Sequence, residues 1–356
     1  MFNKHKMITQ SKNRLNEEGI VSIVVTLIVM IVLTLIVTGF AQLARREQRE
    51  ALDRQLSAQA SYAAESGINA LKAALPYISA NVTSRKDCNE NTLVEAGKPN
   101  PFTSTSATLS DNSSYTCLLF NRQPKELIFQ SIGADDAVIA PISLKDSSGN
   151  SIPLSNLNIS WKAKTGSTTV NNKGLGKFPK AQEWGDSIGI LRLDLIPIPD
   201  STGISSAGLD AATKSFLLQP QASGEVERII GSINNGDIIG VTCSSGNCSF
   251  NIKGLDQKKY YLRMRSIYNP SNVTLNNQVP GGVAKTDVFS GAQIEIDSTG
   301  RAADVLKRIK VRIVDPNSSV STTSGPNFPE YVFSSKDNLC KRLSLTNTTS
   351  VNGCTY

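Results

Sequence analysis

Residues 20–44 read Ile20-Val21-Ser22-Ile23-Val24-Val25-Thr26-Leu27-Ile28-Val29-Met30-Ile31-Val32-Leu33-Thr34-Leu35-Ile36-Val37-Thr38-Gly39-Phe40-Ala41-Gln42-Leu43-Ala44, with no charge before Arg45-Arg46. About 20 apolar residues in helix, at about 1.5 Å of rise each, cover the roughly 30 Å hydrocarbon core of a bilayer. In lipid every backbone polar group must be paired inside the segment, which selects helix even for a run rich in Val and Ile. The stretch is therefore expected to span a membrane, with Ile20, Val21, Val24, Leu27, Leu33, Leu35 and Phe40 among its spanning residues.

From Ala41 the pattern turns amphipathic without a break. Leu52, Leu56, Ala60, Ala63, Gly67, Leu71 and Leu75 fall three or four residues apart, while Arg45, Arg46, Glu47, Arg49, Glu50, Asp53 and Arg54 fill the other faces. No proline intervenes before Pro76, where a helix should stop. One continuous helix from Ile20 to Leu75 would be roughly 80 Å long. A signal anchor followed by a separate linker helix is the alternative.

The residues before the apolar run sharpen this. Lys4, Lys6, Lys12 and Arg14 precede Asn16-Glu17-Glu18-Gly19. A secretory signal is cut after its apolar region, behind small residues. Here the small residue, Gly19, comes first, so a cut between Gly19 and Ile20 would leave the apolar helix as the new N-terminus. This is the arrangement of a type IV prepilin leader. The chain resembles the type IV pilin and pseudopilin superfamily, and more narrowly the PilX-type minor pilins and the large minor pseudopilin of type II secretion. The resemblance lies in Gly19–Leu27, in Ala44-Arg45-Arg46-Glu47 and in Ala58-Gln59-Ala60-Ser61-Tyr62-Ala63-Ala64-Glu65-Ser66-Gly67, and it covers about residues 10–75.

That resemblance implies cleavage by a prepilin peptidase, passage through a pilus assembly platform and packing of the helix among other pilins. It also implies an antiparallel sheet on the C-terminal half of the helix, for which Leu52, Leu56, Ala63, Leu71 and Leu75 supply the apolar stripe. The family's major subunits carry Glu at the fifth position after the cut, where it pairs with the terminal amine of a neighbour; Val24 stands there in this chain. A lone buried charge is costly, so a subunit docking on no earlier one has no use for it. Val24 thus points to a priming or tip subunit.

The remaining 280 or so residues shift toward Ser, Thr, Asn and Gly, and their apolar periodicity becomes that of strands. Strands are expected at Tyr115–Asn121, Glu126–Ile132, Ala137–Leu144, Asn156–Lys162, Gly189–Ile196, Ser215–Leu218, Asp237–Cys243, Ser249–Ile252 and Tyr260–Tyr268. Ala292–Ile296 and Val305–Val314 read as a hairpin joined through Asp297-Ser298-Thr299-Gly300, and Tyr331–Phe333 as a last short strand. The fold class is α+β: a long N-terminal transmembrane and amphipathic helix on a mainly antiparallel, β-rich domain. Its divisions are residues 1–19 (leader), 20–44 (transmembrane half), 45–75 (amphipathic half) and 76–356 (extracytoplasmic domain). Whether linkers near 164–205 split that domain into two β subdomains, or are insertions in one sheet, stays open.

All six cysteines, Cys88, Cys117, Cys243, Cys248, Cys340 and Cys354, follow the membrane helix. An even number in a translocated domain points to disulfides, with fifteen connectivities available. Nearest-in-sequence pairing is the simplest: Cys243 with Cys248 would staple a hairpin turning at Gly246-Asn247, and Cys340 with Cys354 would close a C-terminal loop, as in many type IV pilins. Cys88 and Cys117 would tie down the loop-rich 79–114.

The only histidine is His5, in the leader, which removes Ser-His-Asp and Cys-His nucleophiles and His-metal sites from the mature chain. No phosphate loop or dinucleotide fingerprint is present. No enzyme activity, cofactor or metal is expected. Asp146–Asn150 and Asp297–Gly300 have calcium-loop chemistry but read as turns, and Trp161 and Trp184 as core. The formal charge of +7 falls to +5 without the leader, and the densest basic strip, Arg301–Arg312, reads as the solvated face of a strand, with DNA the lesser alternative. The expected function is a minor pilin or pseudopilin, anchored in the cytoplasmic membrane and then displayed in a filament, meeting a surface or DNA at the tip. The competing expectation is an uncleaved, signal-anchored adhesin.

Overall fold

The apolar and amphipathic patterns fold as one helix, α1, over Glu17–Ala74, about 87 Å at 1.5 Å per residue. Leu75–Tyr77 follow as a single 3-10 turn containing Pro76, whose missing N–H ends the helix. The computed structural model describes residues 17–315 apart from 80, 104–107, 111–112, 172, 200–207, 209–210 and 278–286. The leader up to residue 16, the strand expected at Tyr331–Phe333, and Cys340 and Cys354 lie outside the described residues.

With strands numbered along the chain, the first sheet comprises β1 (Ser84–Arg85), β2 (Thr108–Ser110), β3 (Ser113–Asn121), β16 (Gln293–Ala302) and β17 (Val305–Val314). They pair antiparallel in the order β1-β3-β16-β17, with β2 also on β3. Alternation along β3 and β16 sends Leu118, Phe120, Ile294 and Ile296 toward Ile68 and Leu71 of α1 and Leu75 just past it, and these form one core. Full burial of a Leu or Ile side chain contributes roughly 1.5–3 kcal/mol.

The second sheet holds β4 (Glu126–Ile132), β5 (Ala137–Lys145), β6 (Ser151–Ile152), β7 (Asn156–Ala163), β8 (Ile190–Pro197) and β9 (Lys214–Gln221). It continues with β10 (Glu227–Ile229), β11 (Ile238–Ser244), β12 (Asn247–Lys253), β13 (Lys259–Ile267), β14 (Ser271–Asn276) and β15 (Val288–Phe289). Its order is β15-β5-β13-β8-β9-β11-β12-β7-β14-β4. β11 and β12 are joined only at Cys243↔Cys248 and Ser244↔Asn247. The sheet folds back about that hairpin, so Leu193 and Leu262 from one half share a core with Trp161 and Phe250 from the other. Pairing is antiparallel except for β9 with β11 and β10 with β12.

One open reading and three expectations meet the structure here. The segments around 164–205 join β7 to β8 and β8 to β9 within this one sheet; the chain changes sheet between β3 and β4 and again between β15 and β16. The second sheet is thus inserted between two neighbouring strands of the first. Asp297–Gly300 is no turn: β16 runs on to Ala302, and the chain turns at Ala303, with φ of 53°. Gly300 marks a close backbone approach instead. The β11–β12 turn lies at Ser245-Gly246, with φ of 49° and 80°, one residue earlier than expected; two positive φ values make the tight turn whose twist suits a hairpin. Finally, β14 and the short β1, β2, β6, β10 and β15 lie outside the expected strands; Ser271-Asn272-Val273-Thr274-Leu275-Asn276 carries only two apolar residues.

Candidate functional site: the exposed helix and its seam with the sheet

Small residues set how closely α1 meets the first sheet. Ala60, Ala63 and Ala64 are buried. A Cβ on Gly300 would stand 2.1 Å from the Ala60 carbonyl oxygen and 2.4 Å from the Ala64 nitrogen. In return, a Cβ on Gly67 would stand 2.5 Å from Ser298 Oγ and 3.0 Å from Tyr115 Cγ. Helix and strand backbones are in direct contact, and the β16–β3 register shifts at Thr299/Gly300, where the strand bends to the helix. The Ala58–Gly67 stretch is the helix's half of this seam.

The far end of α1 is held by Arg122, which is 4 % exposed. Its guanidinium donates to the carbonyls of Leu75 at 3.0 Å, Ser79 at 3.2 Å and Ile78 at 3.5 Å, tying down the chain just past the helix end; the Leu75 and Ser79 carbonyls also accept the backbone N–H groups of Ile78 and Val82. Burial pushes its pKa down and the nearby Asp315 pushes it back up. Arg85 does similar work in the loop below: it donates to the Glu90 carbonyl at 2.7 Å, to Cys88 at 2.5 Å and to Leu118, and lies 4.4 Å over the Phe102 ring. Cys88 and Cys117 are bonded across that loop, as are Cys243 and Cys248 across the β11–β12 hairpin.

Toward its N-terminus α1 stands free. Gly19 and Ile20 lie in its first turns, Val21 directly after. Val24, Leu27, Leu33, Leu35 and Phe40 are 51–67 % exposed. This is the one helix among the described residues long and apolar enough to cross a membrane. Of the stripe assigned to the sheet, Ala63, Leu71 and Leu75 are buried in the seam and Leu56 sits half-buried at its margin. Leu52 is a correction: it is 57 % exposed. The sheet ends beside Ala60, because the β16–β17 hairpin turns three residues after Gly300. The helical period runs on past its cover.

The other candidates are accounted for locally. Along β17 the cations lie over acids of β16: Arg308 pairs with Asp297, Lys310 with Glu295 at 2.6 Å and Arg312 with Glu295 at 2.7 Å. Asp146 accepts the backbone N–H of Asn150 and Ser148, which holds its pKa down and closes a turn. Trp161 and Trp184 are buried, their indole N–H groups donating to the carbonyls of Gly189 and Ile188. Among the described residues no cluster of His, Cys, Asp and Glu is grouped to hold a metal ion.

Residues 18–69 match the PilX N-terminal family model. Over that segment the helix is similar to the N-terminal helix of PilX-type, pilin-like proteins. The PilX-type segment takes in the free half of α1 and the seam as far as Gly67, and stops before either sheet. No curated protein matches the chain.

Proposed function

We propose that the chain is a minor pilin, or a pseudopilin of the same build, of a type IV pilus-like filament. The precursor is held in the cytoplasmic membrane by Ile20–Ala44 with its β-rich region outside the cytoplasm. Prepilin peptidase cuts after Gly19, and the assembly platform moves the subunit into a filament that reaches the cell surface. The observation that carries this is the division of α1: its C-terminal part is sealed to a sheet, while residues 22–55 are exposed in the single chain, apolar from Ile23 to Leu43 and again at Leu52. A bilayer can cover the first part before assembly, and neighbouring helices can cover it afterwards. Membrane anchoring alone does not use the exposed Leu52.

Val24 in place of a carboxylate favours priming or a place at the tip, as does the bulk of the inserted sheet, which a shaft subunit surrounded by copies could not accommodate. The role is structural, with the β-rich region presented for adhesion or DNA uptake. The test is the N-terminus of the protein from its own cells, read by mass spectrometry beside Gly19→Arg. A start at Ile20, lost in the variant together with filament incorporation, is expected. A start at Met1 with normal surface display would leave a signal-anchored adhesin.

A further inference from the structure

The outer face of β8 and β13, away from the core of the second sheet, carries charges that the fold leaves incompletely matched. Arg263 is the register partner of Asp194, and Arg265 of Arg192. Directly opposed like charges on neighbouring strands are destabilising. Asp194, its side chain 9 % exposed, accepts from both Arg192 Nε at 3.1 Å and Arg263 Nη1 at 3.3 Å. Arg265 has only a 3.9 Å ion pair with the exposed Asp135, and its Nε, shielded from solvent, has no hydrogen-bond partner. Lys259 lies farther along β13, so four cations face two carboxylates.

Next to the arginines the same face is apolar. Tyr261 is the register partner of Ile196 and, with Pro141, Ile198 and Lys259, lines a pocket of about 190 Å³. Residues 261, 263 and 265 point to one side of the sheet, so Tyr261 and Arg265 are about 13 Å apart along the strand. An aromatic ring, a shallow apolar pocket and, on Arg265, a guanidinium with a single long ion pair at that spacing suit a ligand longer than one ring, apolar on its faces and anionic at its edge.

We propose that this face binds an acidic oligosaccharide. One carboxylate bridges the outer guanidinium nitrogens of Arg192 and Arg265, relieving their opposition, and a neighbouring sugar ring lies on Tyr261. Guanidinium forks match carboxylate geometry. The patch is too short for a nucleic acid, whose affinity grows with the number of phosphates contacted along a strip. The proposal is independent of filament assembly, since the face belongs to the inserted sheet and the binding is measured on the solubilised chain.

The experiment is calorimetry of the intact, detergent-solubilised protein with oligogalacturonate and with its methyl ester. The free acid should bind and the ester bind about tenfold more weakly or worse, the loss expected for a charge-assisted bond. Arg265→Gln, Arg192→Gln and Tyr261→Ala should each weaken the acid by a similar factor, and Lys310→Gln on β17 should not. Arg265→Lys keeps the charge without the fork and should fall between wild type and Arg265→Gln. Melting temperatures equal to wild type identify variants that are folded, and Arg192→Gln reads the same site should Arg265→Gln fail to fold. Equal binding of acid and ester, unchanged affinity in both folded glutamine variants, or single-stranded DNA displacing the acid from this face would each overturn the proposal.

Discussion

At Gly300 an added methyl group has nowhere to go, because the atoms it meets at 2.1 and 2.4 Å belong to the backbone of α1. Gly300→Ala should therefore lift the helix off β16 and lower stability by about 1–3 kcal/mol, the usual cost of overpacking, read by urea denaturation. Gly231→Ala, with nothing within 4 Å of the new Cβ, is the control and should be neutral within about 0.5 kcal/mol. Arg122→Met keeps much of the stem but takes one donor from each of three carbonyls, two of which keep a backbone N–H; a loss of about 1–3 kcal/mol is expected by the same method. Neither role is legible in the sequence. Gly300 sits in a run that reads as a turn, and the acceptors of Arg122 lie 43 to 47 residues away along the chain.

Within elements the two disulfides should differ in weight. Cys88–Cys117 spans 29 residues and Cys243–Cys248 spans 5. If each acts mainly by restricting the unfolded chain, the serine pair at 88 and 117 should cost about 3.5 kcal/mol and the pair at 243 and 248 about 2 kcal/mol in denaturation midpoints at constant slope. On α1 the informative residue is Leu52. Exposed in the single chain, it should tolerate Leu52→Ser within about 0.5 kcal/mol of stability, whereas filament incorporation, counted in sheared pili, should fall well below wild type. A loss of stability with normal incorporation would remove Leu52 from the assembly surface. Periodicity predicted the helix within three residues at its start and one at its end, because Pro76 and the charge pattern are local signals. How much of the helix the sheet covers is a matter of where the β16–β17 hairpin turns.

For the whole molecule, the insertion of the second sheet between β3 and β16 makes excision a direct test. Asn121 and Glu295 are register partners, so a short hairpin linker can replace residues 125–291. The shortened chain should keep α1 on the first sheet and form the Cys88–Cys117 bond, readable by alkylation and intact mass, and its N-terminus should match that of the full chain. It should lose binding of the acidic oligosaccharide. Gln293, which both donates to and accepts from the backbone of Ile128, should be replaced by a smaller polar residue in that variant, since its partner is removed.

Local chemistry determined the helix, a stretch long and apolar enough to span a membrane, and most strand positions: β17 follows directly from alternation between Arg308 and Ile313, because a strand with one wet face must repeat every two residues. Only tertiary structure decided that the strands form two sheets, that one interrupts the other, and that the dividing points lie beside β3 and β16, not near 164–205. Membership of the first sheet depends on β3 pairing with β16, segments more than 100 residues apart, and alternation is blind to partners. The same holds for Gly67 and Gly300, whose side-chain-free surfaces acquire meaning only when the helix and the strand are brought together.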